Sequence, residues 1–213
     1  MNVHEPVPDG MKEQVSDWGW PLEYPSWTWA VDEGTPLQVR VFTKAPQVKL
    51  MLDGEVIDER TVGADDKLTA TFTVPYKPGT LTAVALRDGE EVGRKTLVTA
   101  GEPRAVKLTV SRDRIRADRG DLSFVRINIV DEDGVTVPES DVRVNISVTG
   151  GGELVGSGNA SADDMESFGR TAVRVYRGQA LAVIRPFAEA GSITVTVTAD
   201  GLTSASATIK VES

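Results

Sequence analysis

The chain contains no cysteine and a single histidine, His4. Without cysteine there is no disulfide frame, no thiolate metal site and no cysteine nucleophile. With its one imidazole in a polar terminal stretch, catalysis built on a positioned histidine is not expected. Long apolar runs are missing as well, and none approaches the roughly 18 residues that a helical membrane span requires. Lys and Arg number 23 against 32 Asp and Glu, a net charge of −9. The basic face that a nucleic-acid backbone demands is therefore not expected. Neither a basic region nor an apolar segment follows Met1, so no signal peptide is read; the compartment of any longer parent stays open, periplasm and exterior included. No metal or cofactor motif stands out, and none is expected.

What is present is alternation. Val39 and Val41 oppose Gln38 and Arg40, and Val48, Leu50 and Leu52 repeat the pattern as far as Asp53-Gly54, a two-residue hairpin turn with Val56 and Ile57 on the return. Leu68, Ala70, Phe72 and Val74 predict a further half-buried strand, and Leu81 to Leu86 lead through Asp88-Gly89 to Val92–Val98. After Thr99-Ala100-Gly101-Glu102-Pro103, where alternation lapses, it resumes at Val106, Leu108 and Val110. It continues through Leu122–Val130, Val142–Val148, Ile193–Val197 and Ala205–Val211. The apolar phase slips within Leu122–Val130, which predicts a bulge near Phe124. Asp131-Glu132-Asp133-Gly134 has its glycine too early for a calcium loop and reads as a hairpin turn. Strands of this length and spacing, without helical periodicity, predict an all-β fold of two consecutive immunoglobulin-like β-sandwich domains. The expected division is a lead-in at 1–25, one sandwich at 26–100 and a second at 104–213. Within the lead-in, His4-Glu5-Pro6 reads as a mobile end, with an Asp9-Gly10 turn and at most a helical turn at Met11–Val15.

Two stretches are candidates for function. All four tryptophans fall within twelve residues, and Trp18, Trp20, Tyr24, Trp27 and Trp29 form an aromatic cluster. Flat aromatic faces stack on sugar rings, cover the edge of a sandwich, or fill an interface with another domain. The second candidate is the irregular stretch Gly150–Arg170, where Asn159 with the three carboxylates of Asp163, Asp164 and Glu166 could gather a cation or hydrogen-bond a sugar. Alternatively the stretch is a solvated loop anchored by Phe168. Asn145-Ile146-Ser147 and Asn159-Ala160-Ser161 match the glycosylation tripeptide, a weak signal.

Four ordered stretches resemble one family. They are WGWP with SWTW, EGTPLQVRVFTKAPQV with LMLDGEVI, VTAGEPRAVKLTVSRDRIRADRGDLSFVRINIVDEDGVTVP, and GSGNASADDMESF followed by YRGQALAVIRP. From Val15 onward the chain resembles the C-terminal accessory region of a family 2 glycoside hydrolase of the β-galactosidase type, namely its fourth and fifth domains. Ala160 departs from the family, which usually has proline there. Retaining hydrolysis in that family uses two glutamates on a (β/α)₈ barrel, about 5 Å apart. A barrel needs about 250 residues of alternating strand and helix, a pattern this chain lacks, so no catalytic residue is carried over. The resemblance implies a non-catalytic part that packs on the parent's catalytic barrel. A carbohydrate-binding module and a free-standing adhesin-like module pair are the alternatives; an autonomous enzyme is the remotest reading.

Overall fold

The structure is a computed structural model describing residues 1–8, 10–15 and 17–213, so the Asp9-Gly10 turn lies partly outside the described residues. The backbone separates into two compact units, Met1–Thr99 and Ala100–Ser213. No helix occurs among the described residues.

The first unit runs β1 (Asn2–His4), β2 (Glu23–Tyr24), β3 (Pro36–Phe42), β4 (Gln47–Leu52), β5 (Glu55–Thr61), β6 (Thr69–Pro75), β7 (Thr80–Arg87) and β8 (Glu90–Val98). Two antiparallel sheets, ordered β2-β1-β3-β6 and β5-β4-β7-β8, form an immunoglobulin-like sandwich. Val39, Val41, Phe72 and Val74 from one sheet meet Val48, Leu50 and Leu81 from the other, as the alternation requires. Full burial of one such side chain is worth about 2 kcal/mol. Both Asp-Gly turns have positive φ at each central residue: 51° and 87° at Asp53 and Gly54, 54° and 82° at Asp88 and Gly89. This is the I′ geometry, whose twist matches that of the flanking strands.

Three expectations for this unit are corrected. The lead-in is not a separate polar end: β1 pairs with β3 and β2, and Val3 is fully buried. A single buried valine flanked by prolines is too short a signal to announce a strand. Met11–Val15 form no helical turn. Leu68 belongs to the turn before β6, not to the strand, and is 42% exposed.

The second unit runs β9 (Ala105–Val110), β10 (Arg114–Arg116), β11 (Ser123–Val130), β12 (Arg143–Gly150), β13 (Gly152–Gly158), β14 (Ala172–Arg174), β15 (Gln179–Pro186), β16 (Gly191–Ala199) and β17 (Ala205–Glu212). Its sheets are ordered β13-β15-β11-β9 and β10-β17-β16-β12-β14. Between β9 and β10 the chain crosses from one sheet to the other, where β10 pairs in parallel with β17. Val125, Ile127, Ile129, Ile146, Ile184, Ile193, Val195 and Ile209 fill the core.

Phe124 marks no bulge. β11 pairs in unbroken register with β15, and Phe124 simply faces outward at 43% exposure. The inner position before Val125 is Ser123, fully buried, whose hydroxyl donates to the Arg112 carbonyl at 2.7 Å. A polar residue satisfied in the core had the look of a phase slip. Gly150–Arg170 is not wholly irregular either, since β13 occupies part of it and pairs with β15 through a register shift between Leu154 and Gly156.

The Asp131–Gly134 segment is a tight turn, closed by the Gly134 N–H donating to the Asp131 carbonyl at 3.2 Å. The buried Asp131 carboxylate accepts the backbone N–H groups of Gly101 (2.8 Å), Asp133 (3.0 Å) and Val135 (2.8 Å), which ties the start of the unit to this turn. Burial pushes this carboxyl upward, yet the converging N–H groups hold it below the usual aspartate range. A depressed carboxylate stabilises the fold above its unfolded pKa of about 3.9 and loses that contribution as pH falls through the folded value. Asp131→Ala is expected to lower stability by about 2 kcal/mol at neutral pH, because buried donors lose their acceptor. In urea melts the variant should also show a flatter dependence on pH below about 4 than the wild type.

Candidate functional site

The aromatic cluster divides into two pairs with different surroundings. Between β1 and β2 the chain makes a loop whose base is closed by the Glu5 N–H donating to the Leu22 carbonyl at 2.8 Å. Glu13 fastens the loop from inside, accepting the Leu22 N–H at 2.8 Å and lying 2.9 Å from His4 Nε2. The Leu22 N–H, and after it the His4 ring, hold the Glu13 carboxyl below its ordinary range. Trp18 and Trp20 project from this loop, 79% and 76% exposed, with ring centroids 6.4 Å apart and planes inclined by 34°. Gly19 between them has φ of 69°, the left-handed turn that sets both indoles outward.

Trp27 and Trp29 are structural. Trp27 is fully buried, meets Tyr76 edge to face at 5.2 Å, and donates its indole N–H to the Lys77 carbonyl at 3.0 Å. Trp29 is half-buried against the same core, and its backbone N–H donates to the Tyr76 hydroxyl at 3.4 Å. Tyr24 lies half-buried on β2. The expected five-residue surface therefore reduces to Trp18 and Trp20.

In the second unit, residues 159–171 form the irregular remainder of the long stretch. Asp164 is gripped by both terminal nitrogens of Arg170, which keeps its carboxyl below the usual range. Arg170 also reaches Glu166 at 3.1 Å, and Glu166 pairs with Arg143 of β12 at 3.0 Å. Asn159 spends its amide N–H groups on Asp164 (2.9 Å) and the Arg174 carbonyl (2.8 Å), while its Oδ1 accepts the Ser161 N–H at 2.9 Å. Asn159, Asp164 and Glu166 thus come together, as a bracing network. Phe168 does not anchor the loop. Its ring lies over Gly158 and is otherwise 70% exposed, beside a 92% exposed Met165. The anchor is Arg170 together with the Ser157 N–H, which donates to the Phe168 carbonyl at 2.7 Å. Asn159, Asp163, Glu166, Arg174 and Tyr176 border a recess of about 490 Å³.

Sequence reasoning missed Glu13 and Arg170, because an acid or base in a polar run carries no sign of a partner nine or six residues away. Trp27→Ala is expected to cost about 3–5 kcal/mol, and the Trp18→Ala, Trp20→Ala pair less than about 0.5 kcal/mol, in thermal or urea melts. Arg170→Gln leaves the mostly buried Asp164 carboxylate without its cation, so it should lower the melting temperature and speed proteolytic cleavage within 159–171, read by mass spectrometry of the fragments.

Two family models match the chain. One, described as glycoside hydrolase family 2 C-terminal domain 5, covers residues 106–208; the other, a domain of unknown function (DUF4982), covers residues 34–93. A β-galactosidase of Bacteroides ovatus is 30% identical over 189 residues, which are 89% of this chain and 22% of that protein. A β-galactosidase of Thermoanaerobacter pseudethanolicus is 37% identical over 76 residues, 36% of this chain and 10% of that protein. A solved glycosyl hydrolase family 2 member from Bacteroides cellulosilyticus superposes with a TM-score of 0.85 at 34% identity, over 98% of this chain and 28% of that one. A β-glycosidase from Bacteroides vulgatus shares the fold, with a TM-score of 0.82 at 24% identity over 88% of this chain and 24% of that one. The chain spans well under a third of each of these relatives.

Proposed function

This chain belongs to the C-terminal accessory region of glycoside hydrolase family 2, and on that premise we propose that its role is non-catalytic: it packs on the catalytic barrel of a β-galactosidase-like parent and supports it. The observation that carries this reading is the Trp18–Trp20 pair. Two large indoles held in the open by a loop latched through Glu13 are apolar surface without a partner in their own unit. Exposed apolar surface on a braced support is what a domain interface requires. Met165 and Phe168 offer a second such surface on the other unit. In this reading the fragment cleaves no glycoside, and hydrolysis of glycosidic bonds belongs to the parent.

A carbohydrate-binding module is the second reading, favoured by the same two indoles, whose tilted faces could stack on successive sugar rings. One set of measurements separates the two. With the parent's catalytic domain supplied in trans, Trp18→Ala with Trp20→Ala is expected to weaken association at least tenfold in calorimetry. Galactosides should leave tryptophan fluorescence unchanged, and a chromogenic galactoside should not be turned over. Saturable quenching by a glycan that is lost in the double variant would favour sugar binding instead; turnover would sink the non-catalytic reading.

A further inference from the structure

Three cationic side chains line one open side of the first sandwich. There, between the edge strands β5 and β6, lies a recess of about 410 Å³ whose wall holds Arg40, Arg60, Lys67, Thr61 and Thr71, with Asp66 as its carboxylate. Arg40 donates through one terminal nitrogen to Glu23 at 2.6 Å, and Arg60 lies 2.7 Å from Asp58. Neither of those acids lines the recess. Each guanidinium carries five N–H donors, so one ion pair leaves most of its fork available. Each is also set over a ring, Arg40 over Phe42 at 5.1 Å and Arg60 over Phe72 at 5.9 Å, which limits its freedom. Lys67 has no ion pair among the described residues. Asp66 turns one oxygen to the Gly63 N–H at 2.9 Å.

The backbone here is strained. Lys67 and Leu68 have φ of 52° and 57°, two consecutive side-chain-bearing residues in the left-handed region. That conformation is disfavoured at each position and persists only where neighbouring structure enforces it. Four backbone hydrogen bonds do so: Lys67 N–H to Ala64 O, Leu68 N–H to Gly63 O, Thr69 N–H to Asp66 O, and Thr43 N–H to the Leu68 carbonyl. Glycine would meet the turn's needs without strain. Instead the turn carries a lysine beside the recess and leaves a leucine 42% exposed.

We propose that this recess binds an oxyanion substituent, carboxylate or sulfate, carried on a sugar. The two forks and the Lys67 ammonium receive the anion, and the Thr61 and Thr71 hydroxyls receive ring hydroxyl groups. Attribution to a sugar rests on the accessory role proposed above; the anion site itself does not.

The test is a titration of the full chain by amide chemical shifts at constant ionic strength, with methyl glucuronide, sodium sulfate and methyl galactoside. Saturable shifts at Arg40, Lys67, Thr69 and Thr71 are expected with the glucuronide, weaker ones with sulfate, and none with the galactoside. Lys67→Gln should weaken glucuronide binding at least tenfold. Lys67→Gly should abolish it while raising the melting temperature, because the strain is released. Shifts that fail to saturate, or that persist undiminished in Lys67→Gln, would overturn the site. Sulfate binding as tightly as the glucuronide would overturn the sugar attribution. Neither result bears on association with the catalytic domain, which is measured separately.

Discussion

Burying an indole N–H without an acceptor is costly, and in the first unit the acceptor found by Trp27 joins three distant parts of the chain. Trp27 donates to the carbonyl of Lys77, in the link between β6 and β7. Its own carbonyl accepts the Thr99 hydroxyl at 2.8 Å, and the same hydroxyl oxygen accepts the Gly79 N–H at 3.0 Å. The segment entering the sandwich, the approach to its central strand and the last residue of the unit are thereby closed into one knot, packed on Tyr76. Where such groups are shielded from water, leaving one unpaired costs on the order of 1–3 kcal/mol. The knot fixes the chain just beyond the lead-in, three residues after β2 ends.

The same logic organises the second unit with charge in place of an indole. Asp131 gathers backbone donors at the start of its sandwich, and Arg170 gathers carboxylates at the loop after β13. In both loops of interest, polar groups are spent internally and apolar ones are left outside. Trp18, Trp20, Met165 and Phe168 stand in the open, while Glu13, Asp164 and Arg170 hold the backbone beneath them. A loop braced in this way has already met much of the ordering cost that binding would otherwise impose. The packing proposed above would gain from that arrangement.

The recess between β5 and β6 is of another kind. There, strain is retained and cations are turned toward solvent in a chain whose overall balance is acidic. The surface proposed for docking and the recess proposed for an anion use different residues of the first unit, and neither draws on its core.

Alternation of apolar residues, the Asp-Gly turns and four ordered motif stretches were enough, read from the chain alone, to determine an all-β fold, most of its strands and the family. These are local signals: period-two burial and positive-φ turns are written in neighbouring residues. The remaining features depend on partners far along the chain. Trp18 and Trp27 are chemically alike, and only Tyr76 and Lys77, some fifty residues on, make one core and the other surface. Ser123 looked like a break in phase until the Arg112 carbonyl satisfied it. β13, rich in glycine and serine, is a strand because β15 supplies its hydrogen bonds. Phe168 lost the anchoring role to Arg170 for a similar reason, since a guanidinium with two carboxylates in reach holds a loop that a ring lying over a single glycine does not. Which side chains are exposed, and so which can serve function, was decided by tertiary pairing, because burial is a property of what packs opposite and not of the residue itself.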